Sequence, residues 1–259
     1  MPDAEPKRLL VIACEVFHRE LSALAARSPR ITDVVFLPKG LHDLETGRMR
    51  ALIQKEIDAA SPEKYDLVVL AYGLCNNGTL GLRARSIPIS IPRAHDCITL
   101  FFGSRRRYRE YFDANPGTYY HTTGWLERGK SDLAGGIMSQ LGLSSTHAEY
   151  LDKYGRENAD YIMQVLGAWR ANYKRLTYIR MPIEGLPDYT ATSRLEADEN
   201  NWSFEIVQGD ARLLEAICEG RAEGARAEGP EFAVVPPGGR LESGLDDEVF
   251  SSAPGDGAA

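Results

Sequence analysis

The stretch Tyr65-Asp66-Leu67-Val68-Val69-Leu70-Ala71, running directly into Tyr72-Gly73-Leu74-Cys75-Asn76-Asn77-Gly78-Thr79, decides how this chain is read. Its first part is an unbroken aliphatic run from Leu67 to Ala71, as expected of a strand covered by helices on both faces. Its second part is rich in glycine and asparagine. Both tolerate positive φ, so the chain can turn sharply there and bring backbone N–H groups close to a bound group. A strand buried on both faces implies a parallel sheet, and ligands of such sheets sit beyond the carboxyl ends of the strands. Cys75 lies in that position.

Upstream, residues 8–13 read as another apolar strand, delivering Cys14 at its end. A helix over 15–27 follows, with Val16, Leu21, Leu24 and Ala25 at helical spacing and Glu15 in its first turn, where the dipole favours an acid. A strand over 33–37 leads through Pro38-Lys39-Gly40 to Leu41-His42-Asp43, and 47–60 forms a second amphipathic helix. Downstream, a strand over 87–91 contains Pro88, which removes a ladder bond and implies an edge position or irregular pairing. Pro92-Arg93-Ala94-His95-Asp96-Cys97 comes next, then a helix over 98–112 and a strand over 117–123.

This alternation predicts an α/β fold: a mostly parallel sheet with helices on both faces, Rossmann-like in its first half, with a smaller α/β second half. Three regions are expected. Residues 8–130 form an α/β subdomain carrying a Cys/His edge site. Residues 131–240 form a second subdomain, first helical over 145–154 and 156–174, then with strands over 176–181, 203–207 and 231–235 and a helix over 210–219. Residues 241–259, rich in Gly, Ser, Asp and Ala, are expected to be a flexible tail, with too little apolar area to offset ordering entropy.

At 259 residues and 43% apolar content the chain can build a core without staples. A net charge of −7 argues against nucleic acid and against anionic membrane, and the short run Arg105-Arg106-Arg107 does not reverse it. No apolar run reaches the roughly 18 residues of a membrane span, and the first residues lack the basic-then-apolar order of a secretion signal. Four cysteines in such a chain are not a disulfide framework, so a reducing cytoplasm is the expected compartment. Grouped thiols there point to a metal or to catalysis.

Cys14, His42, Cys75 and Cys97 all fall just past the ends of expected strands, and together they form the expected metal-ligand set. Thiolate and imidazole suit zinc, and three thiolates with an open position also suit a [4Fe–4S] cluster with one accessible iron. His95, Asp96 and Glu15 are the acid–base or ligand-orienting candidates. Gly73, Asn76, Asn77, Gly78 and Arg93 are the cofactor-binding candidates, the arginine as a bidentate partner for an anion. Each cysteine taken alone reads equally well as a small buried hydrophobe. Three at three strand ends favour a shared site, whereas Cys218, on the helix over 210–219, reads as core. Tyr119, Tyr120, His121 and Trp125 either wall a pocket at the ligand edge or belong to the core. Three functions remain open: a metalloenzyme acting on a small-molecule substrate, a carrier that holds a metal and hands it to a partner, and a metal-free enzyme with one thiolate activated by His95.

The same residues carry a family resemblance. Ile12-Ala13-Cys14-Glu15, Leu41-His42, Tyr72 to Thr79, Pro92 to Ser104, Pro116-Gly117-Thr118-Tyr119-Tyr120 and Thr123-Gly124-Trp125 resemble the family catalogued as domain of unknown function 1638. The second half matches more loosely, through Trp202 and Val235-Pro236-Pro237-Gly238. The family brings no settled activity. Its members resemble in setting the proteins of corrinoid-dependent methyl transfer, which implies one-carbon or methyl-transfer chemistry, with a corrinoid, a corrinoid protein or a methyltransferase as partner and a carrier that holds a metal or corrinoid for that methyltransferase, by association.

Overall fold

The computed structural model describes residues 8–39, 46–128, 151, 155, 156, 158, 172–221, 225, 226, 229–245 and 248–254. His42, and the helices expected over 145–154 and 156–174 apart from isolated positions, lie outside the described residues.

The strand β1 (Arg8–Cys14) is central because both of its faces are apolar. It pairs in parallel with β2 (Thr32–Leu37) on one side and β3 (Tyr65–Ala71) on the other. β4 (Ile89–Pro92) continues the sheet in parallel beside β3. Leu9, Val11 and Ala13 face α1 (His18–Ala25) and a later helix through Leu213, Leu214 and Ile217. Leu10, Ile12, Val68 and Leu70 face the opposite way, onto Met49, Ile53 and Ile57 of α2 (Thr46–Asp58). Alternate residues of one strand thus serve two separate cores, the arrangement behind an uninterrupted apolar run.

Beyond β4 the expected single helix over 98–112 is two: α3 (Cys97–Phe102) and α4 (Arg105–Ala114). Gly103, at φ +69, ends the first, and the Ser104 hydroxyl caps the second by accepting from Arg107 N–H at 3.3 Å. A glycine in the left-handed region followed by serine is a stop and restart that hydrophobic spacing alone does not register. The strand expected over 117–123, assigned to the first subdomain, is β5 (Thr118–His121), and it opens the second sheet. There β5, β6 (Arg175–Arg180) and β7 (Ser203–Gln208) run parallel, with α5 (Thr123–Glu127) after β5 and α6 (Thr190–Glu199) between β6 and β7.

The last segments return to the first sheet. α7 (Arg212–Glu219) supplies the residues that pack against β1, and a two-residue pair, β8 (Ala225–Arg226) and β9 (Gly229–Pro230), precedes β10 (Phe232–Val235), which adds antiparallel to β4. β4 is therefore interior. Pro88 lies outside it, its carbonyl accepting Val68 N–H at 3.0 Å, so the ring interrupts no ladder bond.

The expectation of a flexible tail from 241 is corrected for the described part. β11 (Arg240–Ser243) and β12 (Phe250–Ala253) form an antiparallel hairpin, and Leu241, Val249 and Phe250 are buried in the α2-side core. Three apolar residues in a polar context suffice because they fill the face that no helix covers after β3. Composition averages such a segment away.

Candidate functional site

The strand order β10-β4-β3-β1-β2 places β1 and β3 side by side. The chain leaves β1 towards the α1 face, where Val16 and Phe17 are buried, and leaves β3 towards the α2 face, where Leu74 and Leu80 pack. Neighbouring strands whose connections depart to opposite faces leave a crevice at their carboxyl ends. Cys14, the last residue of β1, and Cys75, in the turn after β3, flank that crevice. Cys97, the first residue of α3 after β4, completes the group.

Backbone contacts hold the three loops together. Leu74 N–H donates to the Ala94 carbonyl at 2.8 Å and Cys75 N–H to the His95 carbonyl at 3.0 Å. Gly73 permits this approach, since a Cβ there would lie 2.7 Å from Asp96 N and 2.9 Å from Ala94 O. Asp96 caps α3, its Oδ1 accepting Thr99 N–H at 3.1 Å, while Oδ2 accepts the Tyr108 hydroxyl at 3.2 Å. Glu15, just after Cys14, accepts Lys39 N–H at 2.7 Å and stands 3.8 Å from the Arg128 guanidinium. Cys75, Asn76 and Asn77 have φ values of 47°, 55° and 63°, a run of three side-chain-bearing residues in the left-handed region. Each such residue costs about 1–2 kcal/mol in this conformation, least for asparagine.

The three cysteines line one small cavity of about 30 Å³ together with Lys39, Tyr72 and Trp125. Each cysteine is partly accessible yet deeply surrounded by protein, a combination that an internal cavity produces. Lys39 is 6% exposed. Its ammonium donates to the Trp125 carbonyl at 3.0 Å and sits 3.9 Å from the Trp125 ring centre. Tyr72 is 3% exposed, and its hydroxyl has no hydrogen-bond partner. Burial pushes the Cys14 thiol up to about 11 and the Cys75 thiol up to about 12. It drives Cys97 well above the usual thiol range, with the Asp96 charge and the other two thiols adding to the shift. All three shifts favour the protonated thiol.

A family model described as "Protein of unknown function (DUF1638)" matches residues 36–218. The chain belongs to this family. The matched span takes in Lys39, Tyr72, Cys75, Cys97 and Trp125 and begins after Cys14. No curated protein matches the chain, and no solved structure matches it. Among the described residues of this DUF1638 protein, no helix is long and apolar enough to cross a membrane.

The candidate residues divide by position. Cys14, Cys75 and Cys97 come together, although no three His, Cys, Asp or Glu side chains among the described residues are gathered at metal-holding spacing. His42 lies outside the described residues. The His95 side chain is exposed and does not line the cavity; its carbonyl is the part that serves the site. Asp96 and Glu15 act through the loops they fasten. Gly73 and Gly78 are places of close approach, the latter against Met49 and the Cys75 carbonyl, while Asn76 and Asn77 form the exposed arm of the left-handed turn. The Arg93 guanidinium donates through Nη1 to the Glu248 and Phe250 carbonyls and so fastens the β11–β12 hairpin, while its buried Nε meets no partner among the described residues. Of the aromatic candidates, Trp125 walls the cavity. Tyr119 stacks with Trp202 and Tyr173, and buried His121 meets the Ser193 hydroxyl at 3.0 Å. Cys218 is a core residue at 1% exposure. Sequence reasoning passed over Lys39 and Tyr72 as functional groups. Both adjoin strand ends, which was the available signal.

Proposed function

We propose that Cys14, Cys75 and Cys97 hold one soft metal ion, zinc in the first instance, and that the protein serves one-carbon or methyl-transfer chemistry through that ion. The observation that carries the reading is the convergence of three cysteines, from three separate strand ends, on one small cavity at the switch point of a parallel sheet. Three thiolates suit zinc, and room of about 30 Å³ favours a single ion over a [4Fe–4S] cluster. The Lys39 ammonium, held beside the thiols, offsets part of the negative charge that three thiolates bring into the interior. Asp96 keeps Cys97 at the start of α3, and the Gly73 contact keeps Cys75 facing it. Binding an ion there requires the three sulfurs to draw in to ligand distance. With Cys14, Cys75 and Cys97 as its holders, a zinc ion would supply Lewis-acid chemistry, lowering the pKa of a coordinated thiol or water. Methyl transfer as the reaction class rests on the family's resemblance in setting to corrinoid systems.

Untagged protein purified with and without air, followed by metal analysis, tests this. One ion per chain is expected, lost on Cys14→Ser, Cys75→Ser or Cys97→Ser. Wild-type protein without stoichiometric metal, or with content unchanged by all three substitutions, refutes the reading.

A second reading is favoured by the size of the cavity, which beside an ion leaves room for a ligand of two or three atoms and not for a metabolite-sized substrate. In it the protein is a metal carrier for a methyltransferase. The carrier delivers its ion to an apo-methyltransferase and turns over no small substrate; an enzyme does the reverse. The metal-free nucleophile finds less support, because burial favours the protonated thiol at all three cysteines and the exposed His95 side chain is not on the cavity wall.

A further inference from the structure

We infer that this cavity takes a small exogenous anion as an additional ligand of the bound ion, received by the Tyr72 hydroxyl beside the Lys39 ammonium; the inference rests on the metal reading above. Tyr72 follows β3 directly and is 3% exposed, with a hydroxyl that meets no acceptor. Buried hydroxyls are almost always hydrogen-bonded, so an unpartnered one on a cavity wall marks a place for an acceptor that arrives with a ligand.

Among the described residues, the side chains of the wall supply no oxygen acceptor to Tyr72: their polar members are three thiols, the Lys39 ammonium and the Trp125 ring. Lys39 is committed to the Trp125 carbonyl and lies over the indole, which fixes a positive charge at the cavity in a place largely shut off from water. A fixed cation and an unmet O–H donor together select a group that is negative and accepts hydrogen bonds. Volume then limits its size. About 30 Å³ is the space of one or two water-sized groups, which beside an ion excludes metabolite-sized acids, nucleotides and a corrinoid and leaves anions of two or three atoms. Three thiolates leave a tetrahedral ion one open position, so the anion can bind the metal and accept from Tyr72 at once.

The test uses the full chain loaded anaerobically with cobalt(II), whose ligand-field and thiolate charge-transfer bands report coordination directly. Azide is the small-anion probe. In wild type, azide is expected to shift the ligand-field bands saturably. Tyr72→Phe is expected to bind cobalt with the same stoichiometry and to need about tenfold more azide, as the loss of one hydrogen bond to a charged acceptor implies. Should Tyr72→Phe fail to fold, wild type decides alone, by comparison of azide with imidazole, a neutral and bulkier ligand; azide is expected to bind more tightly. If no cobalt–thiolate bands form, the metal reading falls and this inference falls with it. If the bands form but azide leaves them unchanged, affects wild type and Tyr72→Phe equally, or binds more weakly than imidazole, the anion inference alone is overturned.

Discussion

Replacing Gly73 with alanine tests whether the cysteine loops are held together by backbone contact. A Cβ at this position would stand 2.7 Å from Asp96 N, 2.9 Å from Ala94 O and 2.9 Å from Asp96 Cα. All three neighbours are main chain, so no side chain can rotate away and one loop must move. Overpacking of this kind costs about 1–3 kcal/mol. Separating the loops also weakens the bonds from Leu74 N–H to Ala94 O and from Cys75 N–H to His95 O, each worth about 1 kcal/mol. The sum is about 3–5 kcal/mol if both bonds are lost, which in a chain of this size lowers the melting temperature by roughly 6–20 °C. Gly47→Ala is the control, because nothing lies within 4 Å of a Cβ there and the site is in α2. It is expected to change stability by less than about 1 kcal/mol, in the favourable direction. Thermal unfolding followed by circular dichroism, together with metal content, gives both readouts. Gly73→Ala that melts within about 2 °C of wild type and keeps its metal refutes the account of how the loops are held.

Glu20 is buried on α1 with neither carboxylate oxygen hydrogen-bonded, and burial raises it from 4.5 to about 7. The folded state holds the proton more tightly than the unfolded chain, so this group's contribution is complete below pH 4.5 and is lost as pH rises through 7. The loss is about 3 kcal/mol. Glu20→Gln should therefore match wild type in urea unfolding at pH 4 and exceed it at pH 8; equal stability at pH 8 removes the argument. Phe250→Ala, which empties a fully buried position of the β11–β12 hairpin, should cost about 3–5 kcal/mol and expose 240–253 to proteolysis, whereas a flexible tail would tolerate it without change. Cys218→Ala should cost about 1 kcal/mol and leave the metal content at the wild-type value, since its sulfur packs in the core away from the cavity. Loss of metal in that variant contradicts the assignment of the three ligands.

The elements that sequence reading placed well are those whose cause is local. β3 spans 65–71 as the aliphatic run implies, and Cys14, Cys75 and Cys97 follow strand ends as their neighbours imply. What was not legible depends on partners far along the chain. Nothing near Arg93 in the sequence announces that residues 248 and 250 return to accept from it. β5 looks like a fifth strand of the first sheet, but its pairing partner β6 is more than fifty residues on, and no local pattern ranks that partner above β4. Tyr72 is indistinguishable in sequence from a tyrosine that finds its acceptor, because an unmet hydroxyl is a property of the packed cavity.

The turn after β3 separates the two ways of reading a buried cysteine. If Cys75 were only a small hydrophobe, the position would be better served by glycine or asparagine, which enter the left-handed region at lower cost than a residue with a Cβ and sulfur. Asn76 and Asn77 follow that preference, and Gly73 and Gly78 flank the turn, so residues suited to such a turn occupy nearly every position but this one. Cys75 adopts φ +47° and its sulfur is enclosed on the cavity wall with Cys14 and Cys97. The conformational penalty of about 1–2 kcal/mol is sustained by the bond of its N–H to the His95 carbonyl. That bond orders the turn whatever residue occupies the position, so it does not explain why the residue is cysteine. The thiol itself remains as the reason, and a thiol placed in this way is of use to a ligand. Cys75→Gly sharpens the distinction: it should leave the apo protein as stable as wild type or slightly more so, while metal binding disappears. A Cys75→Gly protein that is clearly less stable without metal shows instead that the sulfur is there for packing.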